Sequence, residues 1–331
     1  MDAADVVVIT GASAGVGRAA ALAFARAGFR SLALVARDEA GLDAAAAEVT
    51  AAGATAHTFV ADVADAAAVE RIAAEIERDI GPIGVWVNNA MATIFAPVEL
   101  IGADEFARVT EVTYLGAVYG TMSALRRMRA RNRGTIVQVG SALAYRAIPL
   151  QSAYCGAKHA LRGFTDALRC ELRHDGSAVR LTMVQLPGLN TPQFDWARNR
   201  FRRHPQPVGT VYQPEVAARA IVWAARHAPR ELQVGWVSSM TIAANKCWPA
   251  LMDRILARRA YEQQFSAEPI AAGRPDNLFG PVPSLARTRG SFDARAHRHS
   301  AQLWLATRGH GVLLAGLAVA LLAAWQGWRR K

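Results

Sequence analysis

Six continuous apolar runs, separated by amphipathic stretches, restrict the fold of this chain more than any other feature of its sequence. The runs are rich in Val, Ile and Leu without polar alternation, which is typical of strands buried on both faces of a sheet. The predicted strands are Val6–Thr10, Ser31–Ala36, Thr55–Ala61, Ile83–Asn88, Thr135–Gly140 and Val179–Gln185. Alternation of such strands with helices predicts an α/β fold, a doubly wound parallel sheet with right-handed crossovers.

The stretches between the runs have helical periodicity. The predicted helices are Gly15–Ala27, Glu39–Ala52, Ala66–Asp79 and a long helix near Tyr114–Arg131. Beyond Gln185 the pattern loosens, and Asn190–Tyr212 is typical of an ordered loop or lid. Further along we expect the helix Pro214–Arg226, a last strand Leu232–Trp236 and a basic helix Met252–Gln264.

A length of 331 residues and a hydrophobic fraction of 52% fit one large α/β domain followed by a tail. We predict a domain over 1–265, an aperiodic linker over 266–310 and an apolar tail over 311–328. Cys155, Cys170 and Cys247 have no CxxC spacing and no nearby histidine cluster, so we expect neither a metal site nor a disulfide framework. No secretory signal precedes the first strand, and we expect a cytoplasmic protein.

The net charge of +11 is concentrated in the C-terminal part. Residues 191–331 contain 20 Arg or Lys against 8 Asp or Glu, whereas residues 1–190 contain 18 against 19. This bias favours an anionic surface such as phospholipid, or an anionic ligand. A GC-rich genome explains it equally well, because only three of the 38 basic residues are lysine. No recognition-helix, zinc-finger or aromatic-stacking motif supports a nucleic-acid partner, and we predict none.

The first motif with chemical meaning is the glycine-rich turn Thr10–Gly17, which joins the first strand to the first helix. Glycines here let the main chain approach a pyrophosphate, and the helix N-terminus supplies N–H donors. The spacing is GxxxGxG, not GxGxxG. Its place after the first strand of a strand–helix alternation favours a dinucleotide site over an ordinary turn.

The end of the second strand indicates which dinucleotide. An acidic residue there would bind the ribose 2′-hydroxyl and repel a 2′-phosphate. Ala36 occupies that position, and Arg37 follows it. A guanidinium favours a phosphate, so we predict NADP rather than NAD, although Asp38 is placed to pair with Arg37 instead.

Three residues further along the chain form a plausible catalytic group. Tyr154 and Lys158 are four residues apart at the start of a predicted helix, which Ser152 is placed to cap, and they share one face. A nearby ammonium and an oxidised nicotinamide would lower the phenol pKa from about 10. Ser141, at the end of the fifth strand, can hydrogen-bond a substrate oxygen. A YxxxK spacing alone is common by chance, but its combination with a serine at the end of a strand favours a catalytic role.

As a set, these motifs resemble those of the short-chain dehydrogenase/reductase family. The matching segments are Thr10–Gly17, Asp62-Val63, Asn88-Asn89-Ala90, the three residues above, and Pro187-Gly188 through Thr191. The resemblance implies a Rossmann-like sheet of about seven strands and a homo-oligomer, with Ser141, Tyr154 and Lys158 catalytic. The expected cofactor contacts are Gly11, Ser13, Gly15, Val16, Gly17, Arg37, Asp62, Val63, Asn89, Tyr154, Lys158, Pro187, Gly188 and Thr191.

Two positions depart from the family pattern. Met91 replaces the glycine of NNAG, which would reshape the cofactor wall. Thr113 stands where the family usually has an asparagine that supports a water-linked proton relay to the lysine. We expect an altered proton relay without loss of hydride chemistry.

The C-terminal run Gly311–Trp325 is uncharged and apolar, and Trp328 and a basic terminus follow it. A span needs about 20 residues, so the run is short. The pattern favours membrane association through lipid contact. The alternative is a helix buried against a partner subunit.

The function that these features predict is NADP(H)-dependent hydride transfer to or from a carbonyl or alcohol substrate. A lid with Phe194, Trp196 and Phe201 favours a lipophilic substrate, although these side chains could equally anchor a surface helix. Tyr145 could line the pocket or pack in its loop. The alternative function is a non-catalytic nucleotide-binding scaffold with the same fold. Thr113 is the only feature of the sequence that favours this alternative.

Overall fold

A computed structural model of the chain describes residues 5–271 and 273–309. Its centre is a parallel sheet of seven strands in the order β3-β2-β1-β4-β5-β6-β7. The strands are β1 (Val6–Thr10), β2 (Ser31–Ala36), β3 (Thr55–Val60), β4 (Ile83–Asn88), β5 (Thr135–Ser141), β6 (Arg180–Leu186) and β7 (Glu231–Gln233). The Rossmann-like, doubly wound α/β fold is therefore confirmed.

Helices cover both faces of the sheet. They are α1 (Gly15–Arg26), α2 (Glu39–Ala51), α3 (Ala66–Glu75), α4 (Ala103–Thr110), α5 (Gly116–Ala130), α6 (Ser152–His174), α7 (Pro214–His227), α8 (Trp236–Cys247) and α9 (Pro249–Gln263). In β1, Val7 and Ile9 pack in the layer of α1 and α7, whereas Val6 and Val8 pack in the layer of α3 and α5. Both faces of this strand are thus buried, which explains its continuous apolar sequence.

Two local predictions are wrong, and one predicted helix changes from α to π before its end. The last strand ends at Gln233 rather than Trp236, because Gly235 adopts φ of +84° and Trp236 begins α8. Ser152 is the first residue of α6 and makes no cap; its buried hydroxyl has no hydrogen-bond partner. The helix predicted to reach Asp79 ends at Glu75 and continues as a π-helical turn, Ile76–Ile80.

The loop predicted over Asn190–Tyr212 is ordered and contains the short helix Gln193–Trp196. Small strand pairs fix it to the rest of the chain: Ile94–Phe95 with Arg198–Asn199, Gly188–Leu189 with Val211–Tyr212, and Arg203–Pro205 with Phe265–Pro269. A second π-helical turn, Glu111–Leu115, precedes α5. Single 3-10 turns occupy Val98–Leu100, Ala142–Ala144, Pro283–Leu285 and Asp293–Arg295.

The segment that we expected to be a linker lies against the domain instead. We call Arg274–His297 the strap, because it runs along the carboxyl edge of the sheet. Leu278 in the strap is fully buried, and His297 forms a parallel bridge with Tyr212. Residues 301–309 then form a helix. The strap is held mainly by arginine and main-chain hydrogen bonds, which leave no periodic pattern in the sequence.

Across residues 5–271 and 273–309, none of the helices combines the length and the apolar character that a membrane crossing requires. The predicted apolar tail, 311–328, lies outside the described residues.

Candidate active site

A cavity of about 390 Å³ opens at the carboxyl edge of the sheet. In open α/β sheets this edge binds ligands where the strand order reverses, here between β1 and β4. Of the predicted site residues, Gly17 alone does not line the cavity. Those that do are Gly11, Ser13, Gly15, Val16, Arg37, Asp62, Val63, Asn89, Ser141, Tyr154, Lys158, Pro187, Gly188 and Thr191.

The glycine-rich turn forms a wall of bare main chain. Gly11 has φ of +68°, and a Cβ atom there would lie 2.9 Å from the Cα of Ala90. A Cβ atom on Gly17 would lie 2.1 Å from the Gly11 carbonyl oxygen, so Gly17 allows α1 to pack against the turn. Asn89 fixes the same turn, because its side-chain amide donates to the Thr10 carbonyl at 2.9 Å. The turn is therefore a preformed cradle for an anionic group.

The predicted catalytic residues come together in the middle of the cavity. Ser141 ends β5, and its Oγ accepts a hydrogen bond from the Leu143 amide at 3.1 Å. The Tyr154 hydroxyl hydrogen-bonds Ser141. Lys158, one turn further along α6, donates from Nζ to the Val139 carbonyl at 2.7 Å, with Nζ 5.7 Å from the centre of the Tyr154 ring.

Burial controls the protonation of this group. It raises the pKa of the Tyr154 phenol far above its ordinary value, and the hydrogen bond to Ser141 only partly opposes this. It also lowers the pKa of Lys158 to about 8, because the ammonium loses its hydration. We expected a nearby ammonium to lower the phenol pKa, but in the protein alone desolvation outweighs that effect. The phenol therefore keeps its proton and can donate it.

Arg37 lies at the far end of the cavity, and strap carbonyls accept its hydrogen bonds. Its guanidinium donates to the carbonyl oxygens of Asn277 at 2.5 Å and Leu278 at 3.3 Å. It lies 4.0 Å from the Asp62 carboxylate. The Asp38 carboxylate, which the sequence offered as an alternative partner, has one buried oxygen without a hydrogen bond.

Asp62 is itself paired with a residue that the sequence analysis missed. Arg108, on α4, forms an ion pair with Asp62 and donates from Nε to the Leu278 carbonyl at 3.1 Å. Arg37 and Arg108 thus share one strap carbonyl, but Arg108 does not line the cavity. No sequence motif marks Arg108, because its role depends on where the strap passes.

The strap closes the rest of the groove. The Gly15 amide donates to the Arg287 carbonyl at 3.0 Å, and Arg18 donates to the Ala286 carbonyl at 3.1 Å. At the other end, the Asn190 side-chain amide donates to Asp293 at 2.9 Å. The strap residues that line the cavity are Asn277, Pro281 and Val282. The sequence signal for them was weak: isolated apolar residues in an aperiodic polar stretch.

Asp195 anchors the strap to the loop after β6. Its carboxylate lies 2.6 Å from the Arg287 guanidinium, 3.0 Å from the Ser291 hydroxyl and 3.3 Å from His204 Nε2. Burial opposes ionisation of this carboxyl, but the hydrogen bonds from His204 and Ser291 and the charge of Arg287 hold its pKa below the ordinary value.

The lining of the cavity is largely apolar. Phe194 and Trp196 line it, as one of our two interpretations had them, whereas Phe201 packs on Phe265 with ring centres 4.4 Å apart. Further apolar lining residues include Leu143, Ile148, Val208, Val237 and Leu256. Tyr145 is not among the lining residues, since its hydroxyl donates to Glu231 at 2.5 Å.

The two departures from the family pattern have different surroundings. Met91 lines the cavity. Thr113 is buried in the π-helical turn, where its hydroxyl donates to the Ala92 carbonyl and accepts from the Ala92 amide, both at 3.0 Å. Thr113 therefore fixes the loop that follows β4 and does not reach the cavity.

Comparison with known proteins assigns the family. Residues 5–200 match the family model described as short chain dehydrogenase. The chain belongs to the short-chain dehydrogenase family. It is 31% identical to an uncharacterized oxidoreductase of Bacillus subtilis, YxnA, over 80% of this chain and 75% of the relative. It is 32% identical to the 2-(S)-hydroxypropyl-CoM dehydrogenase 3 of Xanthobacter autotrophicus over 66% of this chain and 88% of the relative.

Two solved structures are also similar to this chain. An alcohol dehydrogenase from Thermococcus sibiricus, complexed with 5-hydroxy-NADP, has a TM-score of 0.60 and 26% identity. The match covers 70% of this chain and 95% of that one. A metagenomic short-chain oxidoreductase in complex with NADP has a TM-score of 0.59 and 26% identity, with 70% and 96% covered.

Proposed function

We propose that this chain is an NADP(H)-dependent oxidoreductase that transfers a hydride between the nicotinamide and the carbonyl or alcohol group of a lipophilic substrate. The observation that carries the proposal is the convergence of Ser141, Tyr154 and Lys158 on a cavity whose other end holds Arg37. The NADP named for two similar structures supports the choice of cofactor.

The residues along the groove fit such a dinucleotide. The main-chain cradle at Gly11–Gly15 suits a pyrophosphate, because a side chain at Gly11 would collide with Ala90. Arg37 has five N–H donors and uses only two hydrogen bonds on the strap carbonyls, which leaves donors for a 2′-phosphate. Thr191 and Pro187 line the same cavity near the catalytic group.

The catalytic group handles the proton that accompanies hydride transfer. The cofactor, when bound, supplies or accepts the hydride. In the reducing direction, Tyr154 donates its phenolic proton to the substrate oxygen, and Ser141 hydrogen-bonds the same oxygen. Lys158 is buried within reach of the Tyr154 ring, so its positive charge stabilises the phenolate that remains. The apolar side chains that line the cavity exclude water and favour a lipophilic substrate.

A panel of aliphatic and aromatic aldehydes and ketones, assayed by NADPH consumption, tests the proposal. We expect turnover with apolar carbonyl compounds and little turnover with small hydrophilic ones. Binding of NADPH without consumption across the panel, in either direction, would instead support the alternative of a nucleotide-binding scaffold.

On the family resemblance, we further propose that the enzyme is a homo-oligomer. We also propose that the apolar run Gly311–Trp325 associates with a membrane. The run is uncharged and ends at Trp325, and Trp328 and three basic residues follow it. Removal of 310–331 should release the protein from membranes without changing kinetics on a water-soluble substrate. Aggregation of the truncated protein in detergent-free buffer would assign the run to the folded core or to a subunit interface.

A further inference from the structure

Helices α8 and α9 expose an unusual concentration of large apolar side chains. Met240 is 67% exposed, Trp248 63%, Trp236 54% and Leu251 50%. The complete set, which we call the apolar hairpin surface, is Trp236, Val237, Met240, Trp248, Leu251, Ile255 and Tyr261. Scattered single apolar residues are ordinary on protein surfaces, but a group on two consecutive helices marks a contact site.

Among the described residues, the basic side chains of the same two helices have no acidic partners. Lys246, Arg254, Arg258 and Arg259 are exposed, and within the described part of the chain none of them pairs with a carboxylate. The acidic residues of these helices are already neutralised: Asp253 lies 2.5 Å from Arg146, and Glu262 lies 2.6 Å from Arg203. The surface therefore carries uncompensated positive charge.

The apolar and basic side chains share one face of α9. Leu251 and Ile255 are one helical turn apart and lie in a shallow depression bordered by Arg254, Arg258 and Arg259. Only Ala260 on this helix is buried, so α9 lies on the surface with little packing beneath it. An apolar stripe flanked by arginines, with tryptophans nearby, is the composition of helices that lie in the interface of anionic bilayers.

The last described helix, 301–309, contacts the residue before α8. Gln302, in the helix 301–309, accepts a hydrogen bond from the amide of Gly235, the residue before α8, at 2.8 Å. Trp304 and Leu305 of that helix are also exposed, at 47% and 46%. The apolar run from Gly311 follows directly in the sequence.

The same helices reach into the candidate active site. Val237, Ser238 and Thr241 of α8 and Leu256 of α9 line the cavity. Leu256 lines it from inside, while its neighbour Ile255 is exposed outside. Val237 belongs both to the apolar hairpin surface and to the cavity lining, so the surface borders the cavity that contains Tyr154.

We propose that the apolar hairpin surface inserts into the interface of an anionic phospholipid bilayer, so that lipophilic substrates enter the cavity from the membrane. The proposal extends the membrane association proposed for the tail to helices α8 and α9. It rests on that association only in that the tail would hold these helices close to the bilayer. The test of this proposal measures whether the end of α8 enters the bilayer, and it does not measure hydride transfer. Failure of the proposal is therefore distinguishable from failure of the proposed reaction.

The two exposed cysteines allow a direct test with the full chain. Cys247 ends α8 next to Trp248, Cys170 is exposed on α6, and Cys155 is buried. One protein carries Cys170→Ser and an environment-sensitive fluorophore on Cys247; its control carries Cys247→Ser and the fluorophore on Cys170. With vesicles of phosphatidylglycerol and phosphatidylcholine, we expect a blue shift and an intensity gain at Cys247 only, and a much smaller change with phosphatidylcholine alone.

Charge variants sharpen the test. Arg254→Ala with Arg258→Ala should shift the insertion equilibrium about twenty-five-fold against the membrane, since each arginine near anionic headgroups contributes about a factor of five. Arg71→Ala with Arg173→Ala, which removes two exposed arginines elsewhere, should leave it unchanged.

Three outcomes overturn the proposal. The first is co-sedimentation with vesicles without a change at Cys247, which assigns binding to the tail alone. The second is an equal change at both labels. The third is a change at Cys247 that needs only a higher protein concentration and no vesicles, which identifies the partner as a second copy of the chain.

Discussion

The two walls of the groove are built on different principles. The inner wall consists of the carboxyl ends of parallel strands and the turn after β1, and the central strands β1, β4 and β5 behind it are fully buried. The outer wall is the strap. Its carbonyl oxygens accept hydrogen bonds from Arg18, Arg37, Arg108 and Gly15. The inner wall can open only if the core unfolds, whereas the strap can detach locally. We therefore expect chemistry to depend on the inner wall, and access to the groove to depend on the strap.

The largest effect should follow from a change in the inner wall. Tyr154→Phe should lower turnover by about 10²–10⁴-fold, because it removes the proton donor. Steady-state NADPH consumption measures this loss, and circular dichroism checks the fold. Tyr145→Phe is the matched control, since Tyr145 bonds Glu231 and does not line the cavity. Near-normal turnover of the Tyr154 variant on any accepted substrate would refute the mechanism.

The buried ammonium of Lys158 should lower the free energy of unfolding of the protein. Its pKa is lowered to about 8 from 10.5. The unfolded chain therefore binds a proton at Lys158 more tightly than the folded protein does, and this difference destabilises the folded state. This cost is fully present below pH 8 and absent above about pH 10.5, and it amounts to roughly 3 kcal/mol at about 1.4 kcal/mol per pKa unit. Lys158→Met should therefore be inactive but more stable to denaturant at pH 7.

The stability difference between wild type and Lys158→Met should shrink as the pH approaches 10. A variant that is less stable than wild type at pH 7 would show that the hydrogen bond to the Val139 carbonyl outweighs the desolvation of the ammonium.

Arg37 and Arg108, which both donate to strap carbonyls, separate cofactor choice from strap attachment. Arg37→Ala should weaken NADPH roughly tenfold to a hundredfold and NADH much less, because a charged hydrogen bond contributes about 1.5–3 kcal/mol. Arg108→Ala removes a contact with the same Leu278 carbonyl but leaves Arg37 in the cavity. It should change both affinities alike. Titration of both cofactors into both variants decides the matter, and equal affinities in the wild type would contradict the NADP assignment.

Acid should loosen the outer wall before the inner one. The pKa of Asp195 is lowered, so the stabilisation by its contacts is present above the unfolded value near 4 and is lost as the pH falls through the folded value. Asp195→Asn should reproduce this loosening at neutral pH. Hydrogen exchange of strap amides is expected to rise while β1 and β4 stay protected. Asp166→Asn, which affects the ion pairs with Arg169 and Arg230 on another surface, provides the control.

The smallest effect should come from Thr113→Asn. An asparagine can make the same two hydrogen bonds to Ala92, so we expect turnover within a fewfold of wild type. Thr113→Val cannot make them and should cost about 1–3 kcal/mol in denaturant unfolding. A large loss of turnover in the asparagine variant, with cofactor affinity unchanged, would give Thr113 a role of its own.

The difference between the walls also explains what the sequence predicts. Strands β1, β2 and β4 have the predicted bounds, because strands buried on both faces need continuous apolar runs. The inner-wall residues follow from motifs at fixed offsets from those strands. The strap contacts join residues far apart in sequence, such as Arg18 with Ala286, and many of them end on main-chain carbonyls, which every residue possesses. Side-chain identity therefore carries no signal for them.

The contact between the Gly15 amide and the Arg287 carbonyl has a kinetic consequence. A dinucleotide beneath the strap cannot leave until contacts at several points of the groove have opened, so release of the oxidised cofactor should be slower than the chemical step. NADPH deuterated at the transferred position would then leave kcat almost unchanged. The full isotope effect would appear only in a single turnover of the preloaded enzyme.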